Sequence, residues 1–147
     1  MDRVDDDDPE PLVLDLLGDQ LPPLVEVRRW AATALADLDD EHLQAVLLVA
    51  TELVTNAYDH APGPLRVRVR HRRKPCQVRV EVDDGSPEQP QPGRSRLSEF
   101  RGRGMLMVAG LSNRWGTDPL PEGGKTVWAL VSCDGDGWTA CAAARHR

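Results

Sequence analysis

The hydrophobic pattern of this chain changes its period at the segment "APGP" (61–64), and this change limits the folds that are open to it. Before the segment, apolar residues recur every three or four positions through 24–38 and 39–61, which predicts two helices. Asp39 or Asp40 can cap the second helix, and the prolines of the segment end it. After the segment, "LRVRVR" and "QVRVEV" alternate apolar and polar residues, which predicts a β-hairpin that turns at "HRRKP".

The same periods predict which side chains face the core. Aromatic residues make up only 4% of the chain, so this core must be built from Leu, Val and Ala. The other face of the hairpin is rich in arginine. The predicted core residues are Leu24, Val27, Ala31, Ala34, Leu35 and Leu38 in the first helix, Leu43, Val46, Leu47, Ala50, Leu53, Val54 and Ala57 in the second, and Leu65, Val67, Val69, Val78, Val80 and Val82 in the hairpin.

The remaining segments give weaker signals. "LVLDLL" (12–17) fits either a short strand or the start of a helix, and residues 85–104 form a Gly- and Pro-rich stretch typical of a lid or binding loop. "GMLMVAGLSNRWG" predicts a helix of about 8–10 residues, and "GGKTVWALVS" predicts a glycine turn followed by a strand. Helices and strands are partly segregated along the chain. The predicted fold is therefore α+β, a two-layer α/β sandwich with a mixed, mainly antiparallel sheet and helices on one face.

The length and charge of the chain narrow its class. Its 147 residues suit one domain, which we place at 12–131, between an acidic N-terminal segment (1–11) predicted to be disordered and a tail (132–147) without a clear pattern. The net charge of −6 argues against a protein that mainly binds nucleic acid or a membrane surface. The chain has no apolar run of about 18 residues and no signal-peptide pattern, so we expect a cytoplasmic protein without a membrane span.

The cysteines form an odd set without a CxxC pair: Cys76, Cys133 and Cys141. This spacing argues against a disulfide framework and against a zinc site. It fits a protein of the reducing cytoplasm.

Three polar residues lie at four-residue spacing in the second predicted helix: Glu52, Asn56 and His60. Successive steps of four differ by about 40° around a helix, so these side chains share one edge. Because the apolar face must pack on the sheet, the stripe is expected at the rim of the layer, where a cleft can form. The alternative is that the stripe is simply the solvated face of an amphipathic helix.

Two carboxylates stand where the second hairpin strand ends, in "VEVDDGSP". Alternation places Asp84 inward with Val80 and Val82, and places Asp83 outward. An inward carboxylate is costly to bury unless it meets a donor, for which the exocyclic amine of a purine is one candidate. An ordinary Asx turn at the end of a strand is the alternative.

Two glycine motifs follow. "GRGM" (102–105) opens the predicted short helix, where backbone N–H groups and Arg103 can bind an anion, although glycine pairs also mark plain turns. "GGKT" lacks the GxxxxGK frame and leads into a strand, so it is not a Walker loop, and Thr126 lies within that strand.

In this order, the motifs resemble those of the Bergerat-fold (GHKL) ATPases, which include gyrase, histidine kinases and anti-sigma-factor serine kinases. "ELVTNAYDH" resembles their N box, "DDGSP" their first glycine box, "GRGMLMV" their second, and "GGKTVWAL" their terminal strand. "RRW", "SNRWG" and "KTVW" are most similar to the single-domain anti-sigma-factor kinase branch. The resemblance covers roughly residues 22–131.

This resemblance implies roles for individual residues. Glu52 is then the general base for the attacking hydroxyl, and Asn56 is a ligand of the Mg²⁺ that bridges the phosphates of ATP. Asp84, followed by Gly85, accepts from the adenine amine, with help from Thr126 through water. The residues assigned to the phosphates are Gly102, Arg103, Gly104 and Met105, with His60 as a further contact. The first glycine box departs from the usual DxGxG, because Ser86-Pro87 follows Gly85.

The resemblance also implies a function. The chain would bind ATP and Mg²⁺, hold a sigma factor, and phosphorylate an anti-sigma-factor antagonist of the STAS type. The resemblance is also compatible with a homodimer. One alternative is a partner-binding regulatory module with weak or no catalysis. Another is a nucleic-acid-binding domain that uses the Arg-rich hairpin, but that hairpin has no aromatic residues for base stacking. A solvated sheet face explains its arginines more simply.

Overall fold

The computed structural model describes residues 10–16, 23–60, 65–73, 76–85 and 106–133. The acidic residues 1–9, most of the proposed lid, the second glycine box and the tail from 134 onward lie outside the described residues. The elements, in chain order, are β1 (Leu12–Leu16), α1 (Leu24–Ala34), α2 (Asp40–His60), β2 (Leu65–Arg73), β3 (Cys76–Asp84), α3 (106–111), β4 (Arg114–Pro119) and β5 (Lys125–Ser132).

The five strands form one sheet in the order β1-β2-β3-β5-β4, and each neighbouring pair is antiparallel. Alternate valines of β2 and β3 are buried, and α2 packs on β3 and β5 while α1 packs on α2. The predicted α+β sandwich is therefore confirmed. No parallel pairing occurs among the described strands, although the predicted mixed sheet allowed for it.

The core follows the sequence periods closely. Val27, Ala31, Leu35 and Leu38 are buried at the predicted positions of the α1 region, as are all the hairpin positions. In α2 the pattern did not predict Val49, which is fully buried. Because α2 contacts α1 as well as the sheet, its buried surface is wider than one stripe.

Two strands at the sheet edges were not predicted firmly. β1 resolves the ambiguity of "LVLDLL" in favour of a strand, because it pairs along its whole length with β2. β4 was not predicted, since "RWGTDP" has no alternation, and its pairing with β5 holds it in the sheet. Gly116 leaves room there for the ring of Trp128, because a Cβ atom at this position would lie 3.0 Å from that ring and would require it to shift.

Several arginines on the outer sheet face contact acidic partners. Glu81 accepts hydrogen bonds from Arg68 Nε at 2.8 Å and from Arg79 Nε at 2.7 Å, and Arg70 Nε lies 3.5 Å away. Burial raises the pKa of Glu81, but the Arg79 hydrogen bond and the charges of Arg68 and Arg70 outweigh it, so that pKa lies below its ordinary value. Arg79 also lies over the ring of Trp128, 4.3 Å from its centroid.

His71 of β2 makes the stability of the fold dependent on pH. Burial, and then the charges of Arg73 and His42, lower its pKa from 6.5 to about 4, and Asp37 offsets them only in part. As the pH falls from about 6.5 to about 4, His71 is protonated in the unfolded chain but stays neutral in the folded chain. We therefore expect His71 to reduce the free energy of unfolding over this window by about 1–2 kcal/mol, after allowance for its partial exposure.

The measurement is urea unfolding at a series of pH values, with His71→Gln as the comparison. Between pH 4 and 6.5, the free energy of unfolding of the variant should depend less steeply on pH than that of the wild type. An NMR titration of His71 that gives an ordinary pKa would contradict the prediction.

Candidate functional site

Asp84 and Lys125 form a buried ion pair where β3 ends and β5 begins. Lys125 Nζ donates to Asp84 Oδ1 at 3.0 Å, and the two side chains are 3% and 0% exposed. Asp84 is buried with Val80 and Val82, as the alternation of the strand predicts. The donor that this inward carboxylate requires is thus supplied within the chain. A carboxylate has about four acceptor positions on its two oxygens, and this hydrogen bond occupies one of them.

The glycine turn before β5 allows these two strand ends to approach each other. Gly124 has φ of +85°, and a Cβ atom there would lie 2.2 Å from the carbonyl oxygen of Asp84. Two backbone hydrogen bonds close the turn, from Leu120 N to Gly124 O and from Gly123 N to Leu120 O. In the structure "GGKT" is therefore a tight turn that leads into a strand.

Thr126 lies on the opposite side of the sheet from Asp84. Its Oγ1 donates to Asp83 Oδ1 at 2.6 Å, and Arg68 Nη2 donates to the same oxygen at 2.8 Å. The register explains the division, because Asp83 pairs with Thr126 whereas Asp84 pairs with Lys125. The structure does not bring Thr126 to Asp84. It brings Lys125 there, which the alternation of "KTVWALV" places in phase with the buried residues of β5.

Helix α2 carries the polar stripe and packs on the two strands that hold this ion pair. Near its start, the ring of His42 contacts the carbonyl oxygen of Val131 at 2.9 Å, close to the far end of β5. From there to Asn56 the helix advances about 21 Å, and β5 from Val131 back to Lys125 covers about 20 Å. The two lengths are similar, and α2 packs on both β3 and β5, the strands that hold the ion pair.

Two positions of the stripe, Asn56 and Glu52, are at least half-buried, so they are not simply a solvated face. Asn56 is only 8% exposed, and Glu52, one turn earlier, is half-buried. His60 is the last residue of α2. A buried asparagine in a helix has to satisfy its amide, which suits a residue held for binding as much as one held for packing. Amide and carboxylate oxygens are also the hard donors that Mg²⁺ takes, so this edge of α2 fits that ion.

The second glycine box, Gly102 to Met105, lies outside the described residues. The helix that follows it, α3, is anchored by Val108, which is fully buried in the core. Gly85, at the end of β3, is exposed, and a Cβ atom there would meet nothing within 4 Å.

An open cavity of about 610 Å³ lies at the same end of the sheet, a size typical of small-molecule sites. Asn56 and Glu52 do not contribute to its wall among the described residues. The cavity is lined by Asp15, Leu16, Leu65, Arg66, Asp83, Asp84, Gly85, Leu120, Pro121 and Glu122.

Comparison with known proteins identifies the family of the domain. The family of histidine kinase-like ATPase domains matches residues 19–130, and the chain therefore belongs to that family. Membership makes the domain an ATP-binding fold and confirms the resemblance to the GHKL superfamily. No curated protein matches the chain. Within the described residues, no helix has the length and apolar character that crossing a membrane requires.

Proposed function

We propose that this protein is a cytoplasmic ATP- and Mg²⁺-dependent regulator of the anti-sigma-factor serine/threonine kinase type. The observation that supports the proposal is the buried Asn56 of α2, a helix that packs on β3 and β5, the strands of the buried Asp84–Lys125 pair. An oxygen ligand on this helix and a carboxylate on the sheet would hold the two ends of one nucleotide. The match to an ATP-binding family supports the same assignment.

Each proposed residue has a distinct task. Asn56 holds Mg²⁺ through its side-chain oxygen, and Asp84 accepts from the adenine amine. Bound Mg²⁺ would neutralise the charge of the phosphates. Glu52 lies one turn before Asn56 and takes the proton of the attacking serine or threonine hydroxyl. Thr126 is not assigned to the adenine, because its side chain lies on the opposite side of the sheet from Asp84 and donates to Asp83.

The phosphate contacts are proposed from the sequence alone. They are the second glycine box, Gly102, Arg103, Gly104 and Met105, together with His60. The proposed protein partners are a sigma factor and a STAS-type antagonist. A nucleic-acid partner is disfavoured, because Arg68, Arg70 and Arg79 on the outer sheet face are held by Glu81.

A partner-binding module without catalysis is the second candidate. It is favoured by one observation: Ser86-Pro87 follows Gly85, so the second glycine of the usual DxGxG motif is missing. Such a module would still bind a protein partner, but it would transfer no phosphate. Nucleotide binding and phosphate transfer therefore have to be measured separately.

Replacing Asn56 with alanine is expected to weaken Mg²⁺-ATP binding by roughly 10–100-fold, since a lost interaction with a charged group costs about 1.5–3 kcal/mol. Isothermal titration of the full chain with ATP and Mg²⁺ measures the change. Asn113→Ala is the matched control, because Asn113 is the other asparagine of the chain and is exposed, with its Oδ1 bonded to Ser132 N.

The control should bind ATP as the wild type does. Circular dichroism should show that both variants are folded. Equal binding by wild type and Asn56→Ala, or no Mg²⁺-dependent ATP binding by the wild type, would overturn the proposed nucleotide site.

A further inference from the structure

Three metal-binding side chains converge at the end of the sheet opposite to the Asp84–Lys125 pair. His42, Cys76 and Cys133 each offer a ligand atom, and these atoms all lie within 4.8 Å of one another. His42 and Cys76 are 2% exposed, and Cys133 is half-buried. We call them the thiol–imidazole cluster. No residue of the cluster takes part in the proposed nucleotide site.

Regular secondary structure positions the two sulfurs. Gln77 pairs with Ser132 in the β3–β5 ladder, so Cys76 and Cys133 are opposite each other one step further along. The backbone N–H of Cys133 donates to the carbonyl oxygen of Cys76 at 3.0 Å. Both cysteines are thiols in the structure.

The ring of His42 is oriented as in a metal-bound histidine. Its Nε2 lies 2.9 Å from the carbonyl oxygen of Val131, and a carbonyl only accepts, so Nε2 carries the hydrogen. In the neutral ring, Nδ1 then holds the lone pair, and it lies 3.8 Å from Cys76 Sγ. Histidines that bind metals almost always donate their other N–H to a carbonyl or carboxylate in this way.

Asp39 adds a fourth donor. Its Oδ1 accepts from the backbone N–H of His42 at 2.9 Å, which caps α2 and fixes the carboxylate. Its Oδ2 lies 3.9 Å from Cys133 Sγ. The two thiols therefore contact an imidazole nitrogen and a carboxylate oxygen, respectively. A divalent ion that replaces the two thiol protons would find three donors within 4.8 Å of one another, with the Asp39 carboxylate beside Cys133 as a fourth once it moves toward them.

We propose that Cys76, Cys133, His42 and Asp39 form a structural binding site for a thiophilic divalent ion such as Zn²⁺. Zn–S bonds of about 2.3 Å place two ligating sulfurs about 3.8 Å apart, and the shorter Zn–N bond brings a sulfur and a nitrogen slightly closer, so the three ligand atoms, within 4.8 Å of one another, have to approach by roughly 1 Å. Binding releases two thiol protons and involves no redox change. The ion would join the start of α2 to β3 and β5.

A disulfide between Cys76 and Cys133 is the rival outcome, because opposite residues of antiparallel strands lie within disulfide range. The metal site accounts for more of the geometry. A disulfide uses only the two sulfurs, whereas the orientations of His42 and Asp39 toward those sulfurs are explained by a shared ion.

The test uses the full chain, reduced and freed of metal with a chelator, in the absence of nucleotide. Titration with Co²⁺ should give a thiolate-to-cobalt charge-transfer band and the visible bands of a tetrahedral site. Zn²⁺ should abolish both at one equivalent per chain. Elemental analysis and competition with a chromophoric chelator give the stoichiometry and affinity.

Cys76→Ser and Cys133→Ser should each weaken Zn²⁺ binding by more than the roughly 10–100-fold typical of losing a residue that only orients a ligand. Cys141→Ser is the matched control, since it also removes one thiol, and it should bind as the wild type does. Asp39→Asn should bind Zn²⁺ more weakly and keep the thiolate band.

The wild-type titration keeps the test decisive even if a variant fails to fold. Absence of the thiolate–cobalt band in the reduced wild type would overturn the proposal. So would an equal loss of binding in Cys141→Ser, or a Cys76–Cys133 disulfide found by mass spectrometry in a protein that binds no metal once reduced.

Discussion

Replacing Lys125 with methionine is expected to lower the free energy of unfolding by about 3–5 kcal/mol. Methionine fills a similar volume but leaves the carboxylate of Asp84, which is fully buried, without the ammonium that lies 3.0 Å from it. Removing one member of a buried ion pair costs far more than the pair itself contributes, because the remaining charge stays desolvated. Urea unfolding of the full chain, without nucleotide, measures the loss.

The double variant Lys125→Met with Asp84→Leu separates this cause from poor packing. An apolar pair of similar volume should recover most of the lost stability, since replacing a whole buried pair is often neutral or stabilising. Arg66→Met is the matched surface control. Its guanidinium contacts Asp15 at 2.7 Å, but both side chains are more than half exposed. The free energy of unfolding of this variant should therefore change little. A single Lys125→Met variant as stable as the wild type would contradict the prediction.

For this ion pair, the sequence predicted the direction of the Asp84 side chain but not its partner. Alternation gave the correct inward direction of Asp84, because a strand with one buried face has only two phases. It did not show which residue lies opposite, since this depends on the register between β3 and β5, which are 40 residues apart in the chain. Thr126, proposed as the helper of Asp84, bonds to Asp83, and Lys125 occupies the place beside Asp84.

Elsewhere in the fold, too, elements with a local sequence pattern were predictable, and elements defined by long-range pairing were not. The two helices and the hairpin were predictable because their periods repeat over many residues and their ends carry proline or glycine. β4 was not, because an edge strand that is half solvated needs no alternation and is defined by its partner, β5. Local pattern thus gave the elements that build most of the core, and long-range pairing gave the rest.

The cysteines are the clearest example of contacts that depend on long-range strand pairing and cannot be predicted from local sequence patterns. A search for CxxC spacing finds sites whose ligands come from one turn, and by that criterion the sequence argued against zinc. In the fold, His42, Cys76 and Cys133 meet from three separate elements. The signal available in the sequence was weak: Cys76 starts one strand and Cys133 follows another, and only their antiparallel pairing makes them neighbours.

Replacing Glu52 with glutamine is expected to lower the rate of phosphate transfer by roughly 10²–10⁴-fold, the contribution typical of a positioned general base. Glutamine has nearly the same shape and keeps an acceptor oxygen, but it cannot take the proton of an attacking hydroxyl. Binding of Mg²⁺-ATP should therefore change little. The assay follows γ-labelled ATP with candidate STAS-type antagonists, and titration calorimetry measures nucleotide affinity in parallel.

Glu41→Gln is the matched control for this substitution. Glu41 lies in the first turn of the same helix and is exposed, about 16 Å along the axis from Glu52. It should transfer phosphate at the wild-type rate. Transfer by Glu52→Gln within about tenfold of wild type would remove Glu52 from the role of base, because a tenfold change is worth only about 1.4 kcal/mol. A wild type that binds Mg²⁺-ATP but transfers no phosphate to any antagonist would instead favour the partner-binding module, in which Ser86-Pro87 has taken the place of a working glycine box.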